Sequence, residues 1–188
     1  MQSTQDAIAR SASTAGIAVH FVRYMPMSGW VTFYWNTLAT LAFDGGADYF
    51  YQLNDDVEFV SPDLAAPLIR ALERTDGRGV AGPSDLHDMA YLTMTQSFVG
   101  RRHYESFGYI FPWEFRNSFC DDWMTHVYEV GLTHWGLGAM VRNTNVGGTR
   151  YDVCVDSGAL RATLFDALAR GFPVSSATAL ADDREEVR

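Results

Sequence analysis

Asn54-Asp55-Asp56 is the first place where this sequence could do chemistry. It ends the aromatic run DYFYQL (48–53), so two acids stand at the mouth of an apolar segment. Adjacent carboxylates repel, and partial burial worsens the repulsion unless something neutralises them. A hard divalent cation, Mg2+ or Mn2+, meets that need and also accepts phosphate oxygens. Asn and Asp are good turn formers as well, so a plain surface turn is the competing reading. A second acidic pair, Asp121-Asp122, follows Cys120 and precedes Trp123. In a first helical turn such a pair can simply compensate the helix dipole.

These residues need elements to hold them. Residues 5–15 read as a short Ala-rich helix, and Ile17–Tyr24 (IAVHFVRY) alternates with β-branched residues as a strand does. Trp30–Phe43 carries apolar residues at helical spacing and stops at Gly45-Gly46. The DYFYQL run is a buried strand by composition. Ser61 and Pro62 suit the N-cap and first position of a helix reaching about Arg74. Gly79–Gly82, Thr93–Val99, Gly138–Asn143 and Tyr151–Val155 read as further strands. Ser118 can cap a helix over Asp121–Val130, Ser157–Arg170 closes the chain as a helix, and the acidic end 181–188 reads as frayed. Strands alternating with helices predict an α/β sandwich with a mostly parallel sheet, in which ligands bind at the carboxyl ends of strands.

Composition narrows the function. With 188 residues, 47% of them apolar, the chain can bury a core as one domain. A net charge of −9 disfavours general nucleic-acid binding. All 14 basic residues are Arg, the better bidentate partner for a phosphate. Two cysteines, Cys120 and Cys154, make neither a disulfide framework nor a zinc site alone and read as small buried apolar groups. No run is long enough to span a membrane, the N-terminus lacks signal-peptide character, and location is not readable.

A helix with Asn36 near its middle, followed by ADYFYQLNDDV, resembles the nucleotide-sugar-binding stretch of GT-A-fold glycosyltransferases, especially the family 2 type. The likeness runs from about Ile17 to Tyr151, and it implies a GT-A-like three-layer sandwich. Carried over, Asn54, Asp55 and Asp56 occupy the DxD motif. The last acid, Asp56, then holds Mn2+ or Mg2+ bridging the nucleotide diphosphate, and the first residue faces the ribose. Asn in place of the first Asp keeps an oxygen for ribose and removes a charge. Val80–Pro83 is similar to the family's next strand and turn. Cys120-Asp121-Asp122-Trp123 is similar to its ED-type motif, which implies a general base for an inverting transfer, with Asp122 placed ahead of Asp121. His134 is implied as a third metal ligand. The loop FGYIFPWEF (107–115) matches the acceptor side: Tyr109 and Trp113 offer rings with a polar handle for stacking on a sugar, and Glu114 could bond its hydroxyls.

Other polar sites stay weaker. Arg101, Arg102 and His103 could approach a diphosphate, although a solvent-facing basic turn is commoner. Asn143, Asn145 and Gly147–Tyr151 form a Gly-rich polar turn from which Arg150 could reach a phosphate, but GGTRY lacks the Lys-Ser/Thr pair of a P-loop. In order of elements, Ile17–Tyr24 aligns with the family's second strand. The resemblance therefore implies a domain lacking its opening strand: a fragment, a strand supplied from elsewhere, or a defective nucleotide pocket. The expected activity is transfer of a sugar from a nucleotide-diphosphate donor to a carbohydrate or other hydroxyl acceptor. A non-catalytic GT-A-like domain binding sugar, nucleotide or a protein partner is the alternative. A phosphohydrolase built on Asp55 and Asp56 lacks its downstream Thr and Lys.

Overall fold

The structure, a computed structural model, describes residues 2–25, 27–86, 93–128, 130–144, 152–172 and 174. The elements run α1 (Gln2–Thr14), α2 (Val31–Asp44), β1 (Tyr49–Tyr51), β2 (Val57–Phe59), α3 (Ala65–Glu73), β3 (Val80–Ala81), β4 (Ser84–Asp85), β5 (Phe98–Gly100), α4 (Arg101–Phe107), α5 (Cys120–His126), a 3-10 turn at Val130–Leu132, β6 (Thr133–His134), β7 (Met140–Asn143) and α6 (Ser157–Ala169).

The protein is mixed α/β, but a mostly parallel sheet is not what forms. Two small mixed sheets do, ordered β1-β5-β3-β6 and β2-β7-β4. β5 lies antiparallel between β1 and β3, whereas β3 and β6 are parallel. Strand runs of two to four residues are too short for the alternation in the sequence to reveal their direction. It follows that β1, β3 and β6 all point the same way and bring their carboxyl ends to one edge.

The register sorts side chains onto two faces, because successive residues of a strand alternate sides. One row, Phe50–Val99–Val80, enters a core with Phe107, Phe111, Trp123 and Leu160, from α4, the loop after it, α5 and α6. The other row, Tyr51–Phe98–Ala81–His134, lies on the face covered by Leu68, Ala71 and Leu72 of α3. Trp123 and Phe111 are fully buried, each removing enough apolar area to contribute about 2–3 kcal/mol.

α2 ends as expected. Gly46 turns left-handed (φ 85°), and the Ala47 N–H reaches the Ala42 carbonyl at 3.0 Å, a Schellman closure. Three expectations fail. Ile17–Tyr24 is exposed and forms no strand, and no strand lies beside it among the described residues; Phe21 alone is 48% exposed. Alternation gives a segment the capacity for pairing, but a strand forms only where a neighbour takes its N–H and C=O groups. α3 starts at Ala65, with the Asp63 carboxylate accepting the Ala66 N–H, while the Ser61 hydroxyl donates to Gly138 and accepts from the Met140 N–H. Residues 152–155 form no strand. The frayed end 181–188 and the turn residues Asn145 and Gly147–Tyr151 lie outside the described residues. No helix among the described residues is long and apolar enough to cross a membrane.

Candidate functional site at the carboxyl end of the larger sheet

The β1 strand delivers Asn54, Asp55 and Asp56 to the edge shared by the carboxyl ends of β1, β3 and β6. Beyond β1 the ladder continues through the Gln52 N–H, which donates to the Ser97 carbonyl at 3.0 Å. The buried Gln52 side chain then reaches forward: its Nε2 donates to Asn54 Oδ1 at 3.1 Å, and its Oε1 accepts the Ser97 N–H at 3.4 Å. Asp56 turns the chain into β2. Its backbone carbonyl accepts both the N–H and the hydroxyl of Thr144, at 2.8 and 2.9 Å. Asp56 Oδ1 is buried and meets no hydrogen-bond donor. Asp55 is exposed.

The second acidic pair reaches the same neighbourhood through one short segment. Ser97 Oγ donates to the Met94 carbonyl (3.4 Å), the Met94 N–H donates to Thr125 Oγ1 (2.9 Å), and that hydroxyl donates to the Asp121 carbonyl (2.6 Å). An unbroken path of bonds thus joins Asn54, by way of Gln52, to the first turn of α5. Gly82 makes room for it, since a Cβ there would stand 2.8 Å from Met94 Cγ and 3.2 Å from the Gln96 carbonyl.

Helix α5 does not begin on a Ser118 cap; that hydroxyl donates to Asn117 Oδ1 instead. It begins on Phe119, held left-handed at φ 64°. A bulky side chain in that region costs about 1–2 kcal/mol, which the surrounding core must offset. The strained residue sets Asp121 and Asp122 in the first turn. Asp121 keeps part of its surface open, yet its surroundings desolvate it, and with the Asp122 charge adjacent its carboxyl is pushed up to about 7. A carboxylate titrating there is matched to taking a proton near neutral pH.

His134 takes its place on the α3 face, opposite α5. Burial, and then the Arg74 charge, lowers its pKa, so the ring is neutral; its Nε2 is buried without a partner. Among the described residues no three imidazole, thiol or carboxylate groups gather into a metal cluster. The Asp56 Oδ1 orphan still fits a cation of the Mg2+ type, because such ions need only one or two carboxylates when substrate phosphates supply the rest.

The other sequence candidates separate cleanly. Tyr109 is half-buried, 6.0 Å from both Phe107 and Trp123 by ring centroid, and burial raises its hydroxyl pKa; it serves the core. Trp113 is 46% exposed and meets Phe33 edge-on, and Glu114 beside it is exposed; these two remain open to a ligand. Arg101, Arg102 and His103 lie at the opposite, amino end of β1, so none can reach a diphosphate at the mouth. Arg101 donates to the Phe43 and Ala47 carbonyls, Arg102 pairs with Asp76 at 2.7 Å, and His103 is buried. Cys120 is buried beside the Thr32 hydroxyl, its thiol pushed up to about 12, and Cys154 is half-buried.

Residue typing missed Gln52, Gln96 and Thr125. A signal was present for the first: Gln52 is a polar amide set within an apolar strand sequence. Gln96 is 1% exposed, and neither its Nε2 nor its Oε1 has a partner. Compared with family models, with curated proteins and with solved structures, the chain matches none.

Proposed function

We propose that this chain is a metal-dependent glycosyltransferase domain of GT-A type, moving a sugar from a nucleotide-diphosphate donor to a carbohydrate or other acceptor hydroxyl with inversion. The observation that carries the proposal is the partnerless, buried Asp56 Oδ1, two residues beyond Asn54, from which a path of hydrogen bonds leads through Gln52 to the backbone of Asp121 in the first turn of α5. A bound Mn2+ or Mg2+ supplies Lewis acidity that stabilises a departing diphosphate. Asp56 is the residue to hold it. Asp121 takes the proton from the acceptor hydroxyl, because burial raises its carboxyl to near-neutral pH. Trp113 and Glu114 present an exposed ring and carboxylate to an acceptor sugar.

The test is titration calorimetry with UDP-sugars and Mn2+, together with transfer to a panel of glycoside acceptors. Donor binding depends on the metal, and Asp56→Ala abolishes it, with turnover down about a thousandfold or more, as expected when a charge-stabilising group is lost. A second reading, a non-catalytic sugar- or nucleotide-binding module, is favoured by one observation: Asn54 removes a charge from the motif. Sugar binding that ignores Mn2+ and survives Asp56→Ala supports that module and overturns the enzyme.

A further inference from the structure

We infer that Asn54 is not a metal ligand but a hydrogen-bond donor that reads an oxygen of the bound ligand, and that Gln52 fixes this polarity. Donors and acceptors alone fix this polarity. A backbone N–H can only donate, so the Ser97 N–H obliges the Gln52 amide to present its oxygen on that side. The Gln52 Nε2 therefore points the other way, and a donor can face only the oxygen of Asn54. With Oδ1 occupied, the Asn54 Nδ2 is left over. Among the described residues it has no partner, and it is not one of the buried unsatisfied atoms of this half-buried residue. The reversed arrangement sets the Gln52 NH2 against the Ser97 N–H, two donors with no acceptor between them in a buried site.

The mouth thus offers opposite polarities two residues apart. Asp56 presents an orphan acceptor, which suits a cation, and Asn54 presents a donor, which suits an anionic or hydroxyl oxygen. A nucleoside diphosphate with its cation carries both partners side by side. The oxygen that the sequence kept for a ribose is instead spent on Gln52, and a cation at position 54 would meet an N–H. Gln52 is a positioning residue here: it touches no ligand and acts by holding Asn54. This inference rests on the mouth being a nucleotide-binding site.

The experiment uses the intact chain, Mn2+ alone and UDP with Mn2+ as probes, and exchange of side-chain amide protons by NMR. Asn54→Ala is expected to leave binding of Mn2+ alone within about twofold while weakening UDP about tenfold, the value of one hydrogen bond to a charged oxygen. In the unliganded protein the Gln52 amide protons are protected and those of Asn54 exchange fast. Gln52→Glu, accepting on both sides, turns Asn54 round: its amide protons become protected and UDP weakens as in Asn54→Ala. Weakened binding of Mn2+ alone in Asn54→Ala overturns the inference, as do protected Asn54 amide protons in the unaltered chain. Failure of the unaltered chain to bind either Mn2+ or UDP overturns the enzyme reading and the ligand half of this inference. The amide exchange reads the Gln52–Asn54 polarity regardless.

Discussion

Two polar regions of the molecule, one around α2 and α4 and one at the carboxyl end of β1, use similar residues to opposite ends. Around α2 and α4 each is engaged in structure. Asn36 donates to the Phe111 carbonyl (2.7 Å) and accepts the Ile110 and Phe111 N–H groups (both 3.0 Å), pinning the aromatic loop. His103 bonds the Tyr128 hydroxyl at 2.7 Å and the Ile110 carbonyl at 3.1 Å. Arg101 lies 3.8 Å over the Phe43 ring while binding carbonyls at the end of α2. At the carboxyl end, Asp56 Oδ1 and both amide atoms of Gln96 are buried with no partner. Folded proteins satisfy nearly all buried polar groups, so an orphan needs a reason and a satisfied group already has one. Residue type marks a side chain as capable of chemistry, and hydrogen-bond satisfaction says whether structure has already used it.

The sharpest way to break this comparison is Asn36→Ala. It strands two buried N–H groups and one carbonyl at once, so urea unfolding should show a loss of about 3–5 kcal/mol. A loss below about 1 kcal/mol would mean that the loop is held by packing alone.

Asp121→Asn tests the other region and carries two signs. Turnover falls about a hundredfold or more, as loss of a general base requires. Stability above pH 7 rises instead. Between pH 4 and 7 the folded protein keeps a proton on Asp121 that the unfolded chain has released, so the native acid loses stability as pH climbs through that window. The gain has an upper bound of about 4 kcal/mol, reduced by the solvent that still reaches the side chain. Its natural activity should rise through pH 7 and level off above it.

Acid behaviour sharpens the contrast further. Burial lowers the His103 pKa to about 4, so the unfolded chain takes up a proton near 6.5 that the folded one refuses. Stability from this residue is therefore lost as pH falls from 6.5 towards 4, opposing the Asp121 contribution over the same range. Denaturant midpoints between pH 7 and 4.5 should drop more steeply in Asp121→Asn than in the unaltered chain; parallel profiles would remove one of the two assignments.

The smallest effect is expected for Gln96→Met. Replacing two unsatisfied amide atoms by an apolar side chain of similar volume should leave stability unchanged or raise it by about 1 kcal/mol, whereas a destabilisation larger than that would show the amide is held by ordered water.

Much of the fold could be read ahead of the structure. The α2 span and its glycine stop, the α6 span, and the β1 strand ending at Asn54 all follow from periodicity and capping chemistry, which act within a few residues. Ile17–Tyr24 shows the limit of that local logic: its sequence is strand-like, yet pairing is decided elsewhere. Sheet direction was misjudged for the same reason, since β5 inserts antiparallel between two strands distant in sequence. The acidic motifs were visible as residue types. What raised Asp121 towards neutral pH was the desolvating environment around it, and what removed Arg101, Arg102 and His103 from the mouth was the reversed direction of β5, which carries them to the opposite end.

The sequence by itself determined where helices start and stop, where an acidic pair ends an apolar strand, and that the chain can build a core without metal-ligating cysteines. Those are short-range matters of propensity, capping and composition. Only the tertiary structure decided that Asn54 has its oxygen taken by Gln52, that His134 faces α3 and not α5, and that Asp56 is left with a buried oxygen and no donor. The physical reason is common to all three: a polar group's role is set by which donors, acceptors and charges surround it after folding, and those come from segments far apart along the chain.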